Sequence, residues 1–212
     1  MITVWGRATS SNVQIVMWAL AEIGLECNRI DVGGSFGGTD TPDYLRMNPN
    51  KLVPTIQDGD LTLWESAAIV RYLGAKYANA SFWPTDPVER ARIDQWAEWS
   101  KTTFGPTLLT GIFLPLIVTR EENRDAKAFT AAVTRMQGLA KIIDARLAET
   151  AFLGGQHPAF GDCIFGTLLY RYFTLDFDRA ETPHLRAYYD RLCTRPAYAR
   201  HAMVSYESMR AK

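Results

Sequence analysis

Short apolar runs alternate with polar turns over the first eighty residues, and this pattern predicts a β-α-β opening. Ile2 to Trp5 is apolar and rich in β-branched residues, which is typical of a buried strand. Four good helix-capping residues follow at 9–12, and apolar residues then recur at helical spacing as far as Gly24. Residues 26–32 alternate like a second strand. We therefore expect a strand, a capped helix and a parallel strand joined by a short crossover.

After a glycine-rich loop, the pattern predicts a short helix, a hairpin and another helix. The short helix begins at residues 41–43, because proline suits the first helical position. Residues 53–56 are strand-like, although a proline inside a strand removes a hydrogen-bond donor. A turn at 58–60 and a return strand at 61–64 complete the hairpin. Glu65 and Ser66 then open an apolar helix.

From residue 88 onward the apolar positions recur at helical spacing. Residues 81–87 are rich in proline and turn formers, and they read as a linker. Two prolines, Pro106 and Pro115, predict that the first helix beyond the linker bends or breaks. Further amphipathic helices are predicted at 124–149, 162–175, 183–194 and 196–209.

Composition and charge narrow the class of protein. Hydrophobic residues make up 47% of the 212 residues, which is enough for a substantial core. The 23 basic and 23 acidic residues cancel, so no nucleic-acid partner is expected. The three cysteines are far apart in sequence, which argues against disulfides and zinc and favours a cytoplasmic location. The N-terminus has no secretory signal pattern, and the uncharged run 104–119 is too short for a membrane span.

Four short motifs occur in an order and at spacings that resemble the cytosolic glutathione transferase superfamily. They are the turn at 10–13, the pairs Asn48-Pro49 and Val53-Pro54, and the segment 63–66 followed by 68–73. The resemblance continues through Phe160-Gly161-Asp162 and covers essentially the whole chain. Within the superfamily the sequence is most similar to bacterial serine-type and theta-like or nu-like members.

This resemblance implies a thioredoxin-like α/β domain at 1–79, a linker at 80–86 and an all-α domain at 87–212. Residue 159 is alanine where relatives usually have Ser or Thr, so the capping box that ends at Asp162 is incomplete. We expect Asp162 to have a structural role. The resemblance also implies a homodimer, with glutathione as co-substrate and no other cofactor or metal.

The implied chemistry requires that the site ionise the thiol of glutathione. An ordinary thiol, with a pKa of about 8.5, is only slightly ionised at neutral pH. A hydroxyl at a helix N-terminus can donate to the sulfur where the helix dipole also favours negative charge. Ser10 occupies the position at which serine-type relatives carry their catalytic hydroxyl. Asn12 is a second candidate, as in nu-like relatives, and Ser11 is a third; one of the three is alternatively only a helix cap.

The other motifs are expected to bind the three parts of glutathione. The resemblance implies a cis bond between Val53 and Pro54, with the Val53 backbone pairing with the cysteinyl part. Glu65 and Ser66 are expected to bind the γ-glutamyl end. Lys51 is the candidate for the glycyl carboxylate, although relatives more often have glycine here; a solvent-facing lysine is the alternative.

The hydrophobic co-substrate is expected to bind in the second domain. The apolar stretch that contains Phe104, Leu108 and Ile112 is the candidate pocket, with plain core packing as the alternative. The leading function is conjugation of glutathione thiolate to hydrophobic electrophiles in detoxification. The alternatives are a glutathione-dependent peroxidase or disulfide reductase, and a non-enzymatic interaction module on the same fold.

Overall fold

In the computed structural model, which describes residues 1–211, strand β1 (Ile2–Trp5) lies inside a four-stranded sheet. The sheet order is β2-β1-β3-β4, with β2 at Cys27–Ile30, β3 at Thr55–Asp58 and β4 at Leu61–Trp64. Strand β1 is parallel to β2 and antiparallel to β3. The β-α-β opening and the hairpin are therefore confirmed. The predicted strand at 53–56 is displaced, because Pro54 precedes the first ladder residue.

Helix α1 (Ser11–Ile23) is buried on two sides and joins the sheet to the helical part of the chain. Val16 and Leu20 belong to the small core over the sheet. Trp18 belongs to the larger core and meets the ring of Tyr198 at 4.8 Å. The helix ends as predicted at Gly24, which adopts φ 79°. Helix α1 thus lies where the two parts of the protein meet.

Nine further helices follow α1 within residues 1–211. They are α2 (Pro42–Met47), α3 (Ser66–Tyr77), α4 (Pro87–Trp99), α5 (Gly105–Leu108), α6 (Ala126–Leu147), α7 (Phe160–Gly166), α8 (Leu169–Thr174), α9 (Pro183–Cys193) and α10 (Pro196–His201). Short 3₁₀ turns lie at Gly34–Phe36, Glu121–Asn123 and Glu207–Met209.

Helix α4 does not break at the prolines but continues as far as Val118 through two π-helical segments, Ser100–Phe104 and Leu109–Val118. Proline cannot donate the usual helical hydrogen bond, and the wider π turn accommodates this loss. Gly105, before the first proline, donates to the carbonyl of Ser100, and a Cβ at this glycine would lie 2.7 Å from that oxygen. The helix therefore changes register at the prolines without the break that was one of the two predicted outcomes.

By length and composition, Pro87–Val118 is the one helix among residues 1–211 that meets the criteria for a membrane span. Helices in the cores of proteins meet the same criteria. Here Ile93, Ala97 and Phe104 are at most 3% exposed and belong to the larger core. The apolar face of this helix is thus used for packing.

The C-terminal third differs from the predicted helices in two places. The helix predicted at 162–175 is divided into α7 and α8, and the hydroxyl of Thr167 at the break donates to the Cys163 carbonyl at 2.7 Å. The helix predicted at 196–209 stops at His201, and the chain then folds back onto the long helix. There Tyr206 packs against Phe113 with 5.3 Å between ring centroids. Tertiary packing overrides helical periodicity here.

Asp162 has the structural role expected for it. Its buried carboxylate accepts hydrogen bonds from the amides of Leu153, Gly154 and Ala159 at 2.8–3.0 Å, and from the hydroxyl of Tyr188 at 2.8 Å. The carboxylate half of a capping box is therefore present without a hydroxyl partner, and it also fixes the loop before α7.

Candidate functional site

Ser10 occupies the cap position of α1, but its hydroxyl does not cap the helix. Its backbone is extended, with φ −79° and ψ 122°, and its carbonyl accepts from the amide of Gln14 at 2.9 Å. Its side chain makes no capping hydrogen bond to the described chain. The hydroxyl is therefore available to a ligand at the positive end of the helix dipole.

A cleft of about 280 Å³ opens in front of Ser10, and four of the predicted site residues line it. Ser10 and Asn12 contribute from the start of α1, and Lys51 and Val53 contribute from the loop before β3. Ser11, by contrast, is only 8% exposed and does not line this cleft. The geometry thus favours Ser10 and Asn12 over Ser11 as donors to a bound group.

The loop that presents Val53 is held by buried side chains. The hydroxyl of Tyr44 donates to the Leu52 carbonyl at 2.6 Å. The amide of Asn48 donates to the same carbonyl at 2.9 Å and to the hydroxyl of Thr55 at 3.1 Å. The Val53–Pro54 bond is cis, as the resemblance implied. Asn48 therefore fixes the backbone of the cleft without lining it.

Two predicted glutathione contacts have left-handed backbones. Lys51 has φ 58° and Glu65 has φ 71°, and they are the only residues other than glycine with positive φ in residues 1–211. This conformation costs about 1–2 kcal/mol for a residue with a Cβ, and such strain concentrates at functional sites. Both side chains are exposed.

Lys101, which the sequence pattern did not single out, joins two predicted site residues. Its Nζ donates to Asn12 Oδ1 at 2.8 Å and to Ser66 Oγ at 3.1 Å. The Ser66 hydroxyl also donates to Asn12 Oδ1, at 3.2 Å. We call these three residues the Asn12–Ser66–Lys101 cluster. Ser66 is 1% exposed, so the cluster reaches from the cleft into the junction between the two parts of the chain.

These hydrogen bonds orient the amide of Asn12. Both donors approach Oδ1, so the Nδ2 group is the end that remains to donate. Asn12 also lines the cleft in front of Ser10. The cluster therefore leaves the Nδ2 group of a cleft-lining residue to donate to a ligand.

Burial controls the charge of this cluster. Desolvation lowers the pKa of Lys101, and the carboxylates of Glu65 and Glu98 partly oppose this effect. An ammonium group in this position gives the start of α3 a positive neighbour. The start of that helix already favours an anionic ligand.

Phe104, Leu108 and Ile112 lie in the larger core, which favours core packing over contact with a co-substrate. All three are 0% exposed, and Phe104 packs against the ring of Phe165 at 5.2 Å. The π turn of the long helix directs these side chains into the core, while their neighbour Leu109 faces a cavity of about 250 Å³.

A larger cavity, of about 480 Å³, shares Arg7 and Gly34 with the cleft. Phe36 from the glycine-rich loop and Met209 from the C-terminal segment form its apolar walls. Arg7 lines both this cavity and the cleft in front of Ser10. Two apolar spaces are therefore close to the start of α1.

Comparison with known proteins identifies the family to which this chain belongs. Residues 1–75 match the family model of the glutathione S-transferase N-terminal domain, and residues 106–196 match that of the C-terminal domain. Glutathione S-transferase GstB of Escherichia coli is 36% identical over 206 residues, covering 96% of this chain and 99% of the relative. A probable glutathione S-transferase of rice, Oryza sativa, is 26% identical over 96% of each chain.

A solved structure is also similar along nearly the whole chain. It is the theta class glutathione S-transferase of the citrus canker pathogen Xanthomonas axonopodis pv. citri with glutathione bound. It is 45% identical, with a TM-score of 0.91, over 96% of this chain and 98% of its own. The predicted resemblance and fold class are confirmed. This chain belongs to the glutathione S-transferase family and is a glutathione transferase enzyme.

Proposed function

We propose that this transferase ionises glutathione at the start of α1 and conjugates the thiolate to hydrophobic electrophiles. The Ser10 hydroxyl supports this proposal most directly. It lies at the helix start and makes no capping bond within residues 1–211. Ser10 and Asn12 line the same cleft. Lowering a thiol pKa by two units requires about 2.7 kcal/mol. Two hydrogen-bond donors and the helix dipole together can supply this free energy.

Glutathione binds across the cleft in this proposal. The backbone of Val53 pairs with the cysteinyl part, and Lys51 attracts the glycyl carboxylate. Ser66 and the start of α3 hold the γ-glutamyl carboxylate, and Glu65 attracts the ammonium group. The cluster geometry supports this orientation, because Lys101 adds positive charge next to Ser66.

The reaction then needs little covalent chemistry from the protein. The thiol proton passes to solvent when glutathione ionises. A lone pair of the thiolate forms the carbon–sulfur bond, and the leaving group departs with the electrons of the bond that breaks. The protein contributes orientation and a stabilised nucleophile.

Two assays and a binding test separate this function from its alternatives. The protein is applied to immobilised glutathione and assayed with 1-chloro-2,4-dinitrobenzene and with cumene hydroperoxide. Retention of the protein on immobilised glutathione, with faster turnover of the chloroarene than of the peroxide, supports the proposal. Faster turnover of the peroxide favours the peroxidase alternative, which the amide donor of Asn12 also suits. Retention without turnover of either compound would contradict the proposed reaction with these electrophiles.

We also propose a cytoplasmic homodimer that acts in detoxification. Exposed apolar side chains on the hairpin side of the protein, Leu52 and Trp64, support self-association, being 64% and 37% exposed. The three thiols, none of them in a disulfide within residues 1–211, suit a reducing compartment. Sedimentation equilibrium distinguishes a dimer from a monomer of 23.8 kDa.

A further inference from the structure

Arg171 in α8 is a buried cation without an acidic partner. It is 4% exposed, and within residues 1–211 no carboxylate lies within ion-pair distance of it. Its guanidinium donates to the Thr9 carbonyl at 2.7 Å and lies 4.5 Å from the ring centroid of Phe113. Burial, with a contribution from Arg7, lowers its pKa to about 10, so it stays charged at neutral pH. A buried, uncompensated charge is costly unless a ligand uses it.

Arg7 is a second guanidinium in the same region without a partner. In the part of the chain that the structure describes, its side chain makes no hydrogen bond or ion pair. It crosses the glycine-rich loop so closely that a Cβ on Gly34 would lie 3.0 Å from its Nε. Gly34, with φ 59°, therefore suits the turn and leaves room for the guanidinium.

The larger cavity in front of Arg7 combines this charge with an apolar wall. Phe36 and Met209 provide apolar surface, and Thr9, whose carbonyl Arg171 holds, lines the same space. Arg29 and Asp31 also line it, but they form an ion pair with each other. Arg7 is therefore the cation that remains for a ligand among the described residues of this wall.

We propose that the electrophile of this transferase carries an acidic group, which binds to Arg7 while its apolar body packs against Phe36. The planar guanidinium suits a carboxylate in a bidentate pair. Arg171 holds the Thr9 carbonyl and adds positive potential from behind the loop. This inference rests on the proposed function, and it narrows the substrate to acidic electrophiles.

Two chloroarenes that differ in charge test this requirement, and each kcat/KM is divided by the rate constant of the uncatalysed reaction with glutathione, because an ester activates the ring more than a carboxylate does. They are 4-chloro-3,5-dinitrobenzoate and its methyl ester, assayed at saturating glutathione. In each reaction the carbon–sulfur bond forms, the carbon–chlorine bond breaks and chloride leaves with the bonding electrons. We expect this normalised kcat/KM for the acid to exceed that for the ester by roughly tenfold, as one charge-assisted hydrogen bond would provide. Equal values, or a preference for the ester, overturn the proposal.

Arg7→Gln identifies the residue responsible. It should lower kcat/KM for the acid by roughly tenfold more than it lowers kcat/KM for the ester. The control is Arg135→Gln, an exposed arginine on α6 that removes the same charge from the protein. If Arg7→Gln instead raises the KM for glutathione and slows both chloroarenes equally, Arg7 binds glutathione and the proposal is wrong.

Direct binding keeps this inference separate from the proposed function. Calorimetry with unreactive 3,5-dinitrobenzoate, in the presence of S-methylglutathione, measures the acid site without turnover. Loss of binding in Arg7→Gln supports the inference even if no chloroarene reacts. Equal binding in wild type and Arg7→Gln overturns it even if glutathione conjugation is fast.

Discussion

The Nζ of Lys101 lies 2.8 Å from Oδ1 of Asn12, although 89 residues separate them in the sequence. Lys101 belongs to the π-helical part of the long helix, and Asn12 to the first turn of α1. The amide that faces the cleft is thus oriented by a residue of the helical part of the chain. The proposed site for ionising glutathione therefore depends on packing between the sheet-containing part and the helical part of the chain.

Lys101→Met should raise the pKa of bound glutathione, because the Asn12 amide loses the stronger of its two orienting donors. A hydrogen bond of this kind contributes about 0.5–1.5 kcal/mol, so the shift is up to about one unit. Thiolate absorbance of the binary complex against pH measures it. Thr102→Val, at an exposed neighbouring residue, is the control. An unchanged thiol pKa would show that Lys101 does not position the amide.

The sequence predicted most of the glutathione-binding half of the molecule because that half is specified by local signals. The capping residues at 9–12, the proline pairs and the hairpin turn each determine nearby backbone. They place Ser10, Asn12, Lys51 and Val53 around one cleft. The residues that line the cleft could therefore be predicted from the sequence without knowledge of tertiary contacts.

The helical half was less predictable because its details depend on tertiary contacts. A π turn changes which side of a helix faces the core, and no periodicity reveals it in advance. Phe104 and Leu108 consequently became core residues, while Lys101 entered the site. Lys101 carries no motif, since a lysine on a polar helix face ordinarily contacts solvent.

Ser10→Ala should raise the pKa of bound glutathione and lower kcat, with little loss of glutathione affinity. The hydroxyl makes no capping bond within residues 1–211, so its removal should not destabilise α1. Ser11→Ala is the matched control, because it removes the same hydroxyl group from the adjacent buried position. Titration of thiolate absorbance compares both variants with Asn12→Ala. A larger shift in Asn12→Ala than in Ser10→Ala would make Asn12 the main donor.

Lys51→Gly should separate backbone strain from charge. Glycine adopts φ near 58° without cost, so this variant gains up to about 1 kcal/mol of stability over Lys51→Ala, which keeps the strain. Both variants lose the ammonium group and should weaken glutathione binding equally. Thermal melting and calorimetry measure the two effects. Wild-type affinity in both variants would mean that Lys51 does not bind the glycyl carboxylate.

Asp58 should make the glutathione-binding half sensitive to acid. Burial raises the pKa of its carboxyl, but hydrogen bonds from Tyr72, Tyr77 and Lys76 outweigh this effect and lower it to about 2. The unfolded chain therefore binds more protons than the folded one between about pH 4 and pH 2. The stabilisation is present above about pH 4 and is lost as the pH falls towards 2.

Asp58→Asn tests this assignment. Its free energy of unfolding at neutral pH should fall by about 1 kcal/mol, because solvent screens part of the interaction, and its stability should change less between pH 4 and pH 2 than that of the wild type. Asp60→Asn, at an exposed position in the same turn, is the control. Denaturant unfolding at several pH values measures both. Parallel pH profiles for wild type and Asp58→Asn would contradict the prediction.

Ser66→Ala and Glu65→Ala should weaken glutathione binding by roughly ten- to hundredfold, because each removes a charge-assisted hydrogen bond to the γ-glutamyl end. Ser66→Ala should in addition raise the thiol pKa, since the Ser66 hydroxyl donates to Asn12 Oδ1 at 3.2 Å. Glu65 makes no hydrogen bond to Asn12, so Glu65→Ala should leave the thiol pKa unchanged. Calorimetry and thiolate titration measure the two properties, with Glu89→Ala, an exposed residue on α4, as the control. Wild-type affinity in both variants would place the γ-glutamyl end elsewhere in the cleft.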